Sequence, residues 1–201
     1  MTPSAPGISA GKFRNDLARI RPHLDLEAPG AALLEGCAET ADALGRLEQA
    51  GLLIEATRLV AHALPPREAV WWACACARHT APFGDNRAAE AKVRELAEEW
   101  VRRQTDAQRR AAMQAAEAAG MRGAEDWAAV AAFWSGDSMT PIDTPKVPPQ
   151  PHFTGLAVAG SVALAAARGP ATQRDARLQR FLASAREIAA GGVGRLEEEV
   201  P

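Results

Sequence analysis

Residues 52–80 read LLIEATRLVAHALPPREAVWWACACARHT, and this stretch decides the fold. Leu52, Leu53, Ala56, Leu59, Val60 and Ala63 recur at helical spacing and make a broad apolar stripe. Pro65-Pro66 then stops that helix and starts the next, because proline lacks an N–H and is tolerated only in a first turn. Beyond the prolines, Val70, Trp71, Cys74 and Ala77 form one face, and Ala69, Trp72, Ala73 and Cys76 the adjacent one. A helix apolar over most of its circumference is enclosed by other helices. Residues 67–80 are therefore expected to be the central helix, with both indoles in or bordering the core.

Working outward, residues 39–49 carry Ala43, Leu44 and Leu47 at helical spacing, ending at Gly51. Residues 1–30 hold Pro3, Pro6, Pro22 and Pro29 among short helical fragments and read as a loosely held, flexible arm. Downstream, Pro82, Gly84 and Asp85 mark a turn. Residues 87–104 form a charged helix with Glu90–Arg94, Glu98–Arg102 and Glu99–Arg103 at i,i+4. Thr105 is a good N-cap for a helix to Ala119 that stops at Gly120, and residues 124–134 form another. Pro141, Pro145, Pro148, Pro149 and Pro151 make residues 137–153 an extended connector. After it come a helix over 155–167, with Gly155, Ala159, Ala163 and Ala167 as a small-residue stripe, and a last helix over 171–190. In that last helix Arg174, Arg177, Arg180 and Arg186 read as largely outward.

About a quarter of the 201 residues are alanine, tyrosine is absent, and no run alternates with period two. The expected fold is all-α: a single multi-helix bundle of paired antiparallel helices, solenoid-like in its pairing but without a repeat of thirty-odd residues. Its parts are a flexible arm (1–30), a helical core (31–136), the proline-rich connector (137–153), a C-terminal helical pair strapped onto the core (154–191) and an acidic tail (192–201) that runs out through Glu197-Glu198-Glu199.

Charge balance is even, 23 Lys+Arg against 25 Asp+Glu, net −2, with pI about 6.1. No field is available to hold nucleic acid. The N-terminus lacks the apolar stretch of a secretory signal, and the longest apolar run, 156–167, is too short to span a bilayer. Cys37, Cys74 and Cys76 are an odd number, which fits reduced thiols. These features point to a cytoplasmic protein without membrane insertion.

The nearest approach to a chemical centre is Cys74-x-Cys76-x2-His79, with His62 one helix earlier. On a helix Cys74 and Cys76 project about 200° apart, so only Cys76 and His79 share a face. A metalloprotein or enzyme using Cys76 and His79 is the alternative to the plainer reading, two buried small thiols and a surface histidine. Gly136-Asp137-Ser138 looks like the nucleophile block of a lipase-like hydrolase, but no strand precedes it and no Asp-x-x-His follows. Walker, dinucleotide and HExxH motifs do not occur. No catalytic residue and no cofactor are expected. Trp71, Trp72 and Trp134 remain open between core filler and interface anchor. Arg67 stands in the opening turn of the central helix, where the dipole disfavours it, so it needs a partner, either an internal carboxylate or another protein; Glu68 suits that position.

LPPREAVWWAC (64–74), AFWSG (132–136), and Pro148-Pro149 to Pro151-His152 followed by Thr154-Gly155 together resemble a bacterial family of accessory proteins found near type VI secretion genes. The resemblance runs from about Ala31 to Gly191. It implies a non-catalytic adaptor or chaperone-like factor whose partner is a secretion spike, adaptor or effector component. Arg67, Glu68, Trp71, Trp72, Trp134, Pro148, Pro149 and His152 are the candidate partner-binding residues. Self-assembly through the small-residue stripe is a further alternative.

Overall fold

The computed structural model describes residues 11–13, 16–80 and 87–199. Among them are ten α-helices and no strand: α1 (Leu17–Ile20), α2 (Ala28–Leu33), α3 (Thr40–Gln49), α4 (Leu53–Ala63), α5 (Pro66–His79), α6 (Arg87–Arg103), α7 (Asp106–Ala119), α8 (Ala124–Trp134), α9 (Phe153–Ala166) and α10 (Arg174–Ala189). The expected all-α bundle is what forms. The turn read at Pro82, Gly84 and Asp85, and the first ten residues of the arm, lie outside the described residues.

Local chemistry sets the boundaries. Pro66 opens α5 at a position that needs no N–H. The Thr105 side chain accepts a hydrogen bond from the Gln108 N–H to cap α7, and Gly120 closes it at φ +87°, where a side chain would be strained. Asp126 accepts from the N–H groups of Arg122 and Gly123 and so anchors the start of α8. Arg67 meets a carbonyl in place of a close carboxylate: its Nε donates to the Val101 carbonyl at 2.9 Å, at the far end of α6 where helix carbonyls lack internal partners. The nearest carboxylate among the described residues, Glu68, stands at 4.0 Å.

Two helices share the centre. α5 is enclosed as expected, packing on α6, α8, α9 and α10. α9 is enclosed by α4, α5 and α8, so the C-terminal pair expected over 154–191 is not strapped on from outside. The reason is composition: Ala157, Val158, Val162, Ala165 and Ala166 are all buried, and no residue from Phe153 to Ala167 is charged. α10 covers α4 and α5, burying Leu178, Phe181, Leu182 and Ile188.

The termini also depart from expectation. From Asp16 onward the arm is docked, because Leu17, Ile20 and Leu24 enter the core. The acidic tail folds back over α5 and α10. Trp71 Nε1 donates to the Val193 carbonyl at 2.8 Å, Ser184 to that of Gly194 at 2.7 Å, and the Glu199 N–H to that of His79 at 2.8 Å. Arg177, expected outward, is buried and holds the Glu199 carboxylate from Nε and Nη2. A carboxylate finds a buried guanidinium worth reaching, and the chain bends to bring it there.

Candidate functional site

The sequence candidates do not converge. Trp72 is fully buried and its Nε1 donates to the Phe181 carbonyl at 2.8 Å, which makes it core. Half-buried Trp71 carries the tail and lies under the Arg78 guanidinium. Trp134 packs against Phe153 and Trp127. Glu68 pairs with Lys12 at 3.2 Å. Pro148 is exposed and Pro149 half-buried on the connector.

Cys76 and His79 are spent on packing. Burial pushes the Cys76 thiol well above its ordinary value, which suppresses the thiolate a metal would need. Nδ1 of His79, which the sequence placed at the surface, meets the Glu197 carbonyl, and Nε2 lies 3.4 Å from the Glu199 carboxylate. Among the described residues no group of three or more His, Cys, Asp or Glu side chains is placed to hold a metal ion.

His152 leads elsewhere. Its ring stacks on His23, centroids 4.1 Å apart and planes within 7°, and His62 stacks behind His23 at 6.1 Å. Three of the chain's four histidines therefore meet, brought by the 3₁₀ turn Arg21–His23, α4 and the end of the connector. Parallel rings direct their nitrogen lone pairs along separate planes, so the stack does not converge on one ion. Burial, and then the His23 and His152 rings, push His62 down to about 4, so it is neutral at physiological pH. The ring lies directly on the α9 backbone at Gly155: a methyl group there would stand 2.3 Å from Nδ1.

Beside this stack α9 opens to solvent. Leu156 is 51% and Leu164 38% exposed, with Gly160 and Ala163 half-open between them. These positions are i, i+4, i+7 and i+8, one continuous stripe. Ile54, Thr57 and Arg58 of α4 wall one side of it, leaving a cleft of about 230 Å³ that His23, Asp25 and His62 also line. The small-residue stripe divides between the two faces: Gly155 and Ala159 are buried, Ala163 is half-open and Ala167 is exposed. The uncharged run was legible in the sequence; that α4 and α8 would leave one side of it bare was not.

Fold and site together define an all-helical protein with an apolar cleft along an uncharged central helix. Residues 43–189 match the Family of unknown function (DUF6931), and the chain belongs to that family. No curated protein and no solved structure matches it. No described helix is long and apolar enough to cross a membrane.

Proposed function

We propose that this protein is a non-catalytic, cytoplasmic interaction protein that receives an apolar helix of a partner on the open face of α9. The resemblance in residues 64–74 supplies the partner class: a spike, adaptor or effector component of type VI secretion, with this chain as accessory factor or adaptor. One observation carries the reading. α9 has no charged residue from Phe153 to Ala167, which is the composition of an enclosed helix, yet its Leu156–Leu164 stripe meets water. Gly160 and Ala163 let a second backbone approach, while the two leucines supply knobs on either side.

The test is co-elution of the purified chain with each spike, adaptor and effector component of the same cell, repeated with Leu156→Asp/Leu164→Asp. The expected outcome is one stable complex, weakened at least ~10-fold by the double variant, equivalent to about 1.4 kcal/mol. Both positions face solvent, so circular dichroism should show the fold unchanged. No complex with any component, or one indifferent to the aspartates, overturns the proposal.

A further inference from the structure

The connector between α8 and α9 is constrained far beyond what a linker requires. Residues 144–151 read TPKVPPQP, with prolines at 145, 148, 149 and 151. Each proline fixes its own φ at about −65°, and the residue before a proline is driven into the extended or polyproline region. Lys146 alone in this run is neither a proline nor followed by one. The backbone over 145–150 accordingly forms neither helix nor strand.

Hydrogen bonds then hold the run in place. The hydroxyl of buried Ser138 accepts from the Val147 N–H at 3.2 Å, and the Val147 carbonyl accepts from the Met139 N–H at 2.8 Å. Thr140 Oγ1 donates to the Pro145 carbonyl at 2.8 Å, and Arg110 of α7 donates to the Thr140 carbonyl at 2.9 Å. Lys146, the one cation of the run, pairs with Asp137.

A polyproline helix repeats every three residues, so Pro145, Pro148 and Pro151 share one edge. All three are exposed, whereas Pro149, off that edge, is half-buried. Val147, beside Pro148, is 47% exposed. Pro148 and Pro151 have the PxxP spacing at which proline-rich segments seat in grooves walled by aromatic rings. A segment already held extended loses little freedom on binding. With Lys146 paired to Asp137, recognition rests on proline rings and Val147 rather than on charge.

We propose that residues 145–151 are a preformed ligand for an aromatic-lined groove on a protein partner, read along the Pro145–Pro148–Pro151 edge. None of these residues belongs to the Leu156–Leu164 stripe, so either surface can fail without the other.

The test titrates the full chain into isotope-labelled SH3 and WW domains, which carry such grooves, and follows the amide NMR signals of each domain. The expected result is saturable shifts in the groove of at least one domain. Binding should weaken at least ~10-fold in Pro148→Ala/Pro151→Ala and no more than about 2-fold in Pro149→Ala. Pro148 and Pro151 lie in water, so circular dichroism of the double variant should match the unaltered chain. The Leu156→Asp/Leu164→Asp chain should bind the domains unchanged, which separates this result from co-elution with secretion components. No groove shifts from any domain, or equal losses from Pro149→Ala and the double variant, overturn the proposal. Self-association that depends on Pro148, read by light scattering, also overturns it.

Discussion

His62 shows how one side chain comes to depend on three distant segments. Its ring rests on Gly155, and burial first, with the His23 and His152 rings second, holds its pKa well below the ordinary histidine range. The charged groups that line the cleft beside it are Arg58 and Asp25, whose exposed carboxylate lies 3.8 Å from Arg58. In the unfolded chain His62 takes up a proton near 6.5; the folded chain resists until about 4. Stability is therefore complete above about 6.5, falls as pH drops through that window, and stops falling below about 4, by a total of about 3 kcal/mol. Urea midpoints at several pH values between 4 and 7.5 check this: His62→Asn should lose most of the acid-dependent fall that the unaltered chain shows. His152 was a residue the sequence singled out, but its partners are 90 and 129 positions away, beyond what spacing can reveal.

At the scale of elements, the tail is the plainest case of a segment given structure by what it lands on. Residues 193–199 have no helical pattern, yet hydrogen bonds and ion pairs from Trp71, His79, Arg177, Arg180 and Ser184 hold them to α5 and α10. The Arg177 guanidinium, with help from His79 and Arg180, keeps the Glu199 carboxyl below its ordinary value. That carboxylate stabilises the fold above about pH 4.5, and the contribution disappears as pH falls through its lowered folded-state value. Glu199→Gln leaves the buried Arg177 without its countercharge and should cost about 2 kcal/mol. Tryptic cleavage after Arg195 measures it directly, and the variant should be cut several-fold faster at neutral pH than the unaltered chain. The charged helix α6 teaches the same lesson. Glu99–Arg103 forms at 2.5 Å as spacing predicts, but Glu90 pairs with Arg168 and not Arg94, and Glu98 takes Arg78 of α5 and its own neighbour Arg94 in place of Arg102.

For the molecule as a whole, Arg168 is the knot. Just past the end of α9, it donates to the Ala77 and Thr80 carbonyls that finish α5, to fully buried Glu125 on α8, and to Glu90 on α6. Burial and the neighbouring Glu125 raise the Glu90 carboxyl, and Arg168 opposes that rise. Removing the cation would leave Glu125 enclosed and unpaired. Arg168→Ala should therefore cost about 3–5 kcal/mol, while Arg168→Met combined with Glu125→Leu should cost clearly less, because no charge is then stranded. Thermal melts of the three proteins read the difference; equal losses would mean that the ion pairing contributes nothing beyond shape.

Periodicity, proline placement and caps suffice to assign the helices from α3 to α10, because those signals act within a few residues of where they are written. Which helices would be innermost was half legible: the enclosed character of α5 shows in its two apolar faces, whereas α9 was mistaken for an outer strap because the connector before it looks like a boundary. The docked arm, the returning tail, the histidine stack and the cleft beside α9 all depend on contacts between residues tens of positions apart. Such contacts are chosen by packing and by the need to pair buried charge. No local pattern in the chain encodes them, so only the assembled bundle reveals a site.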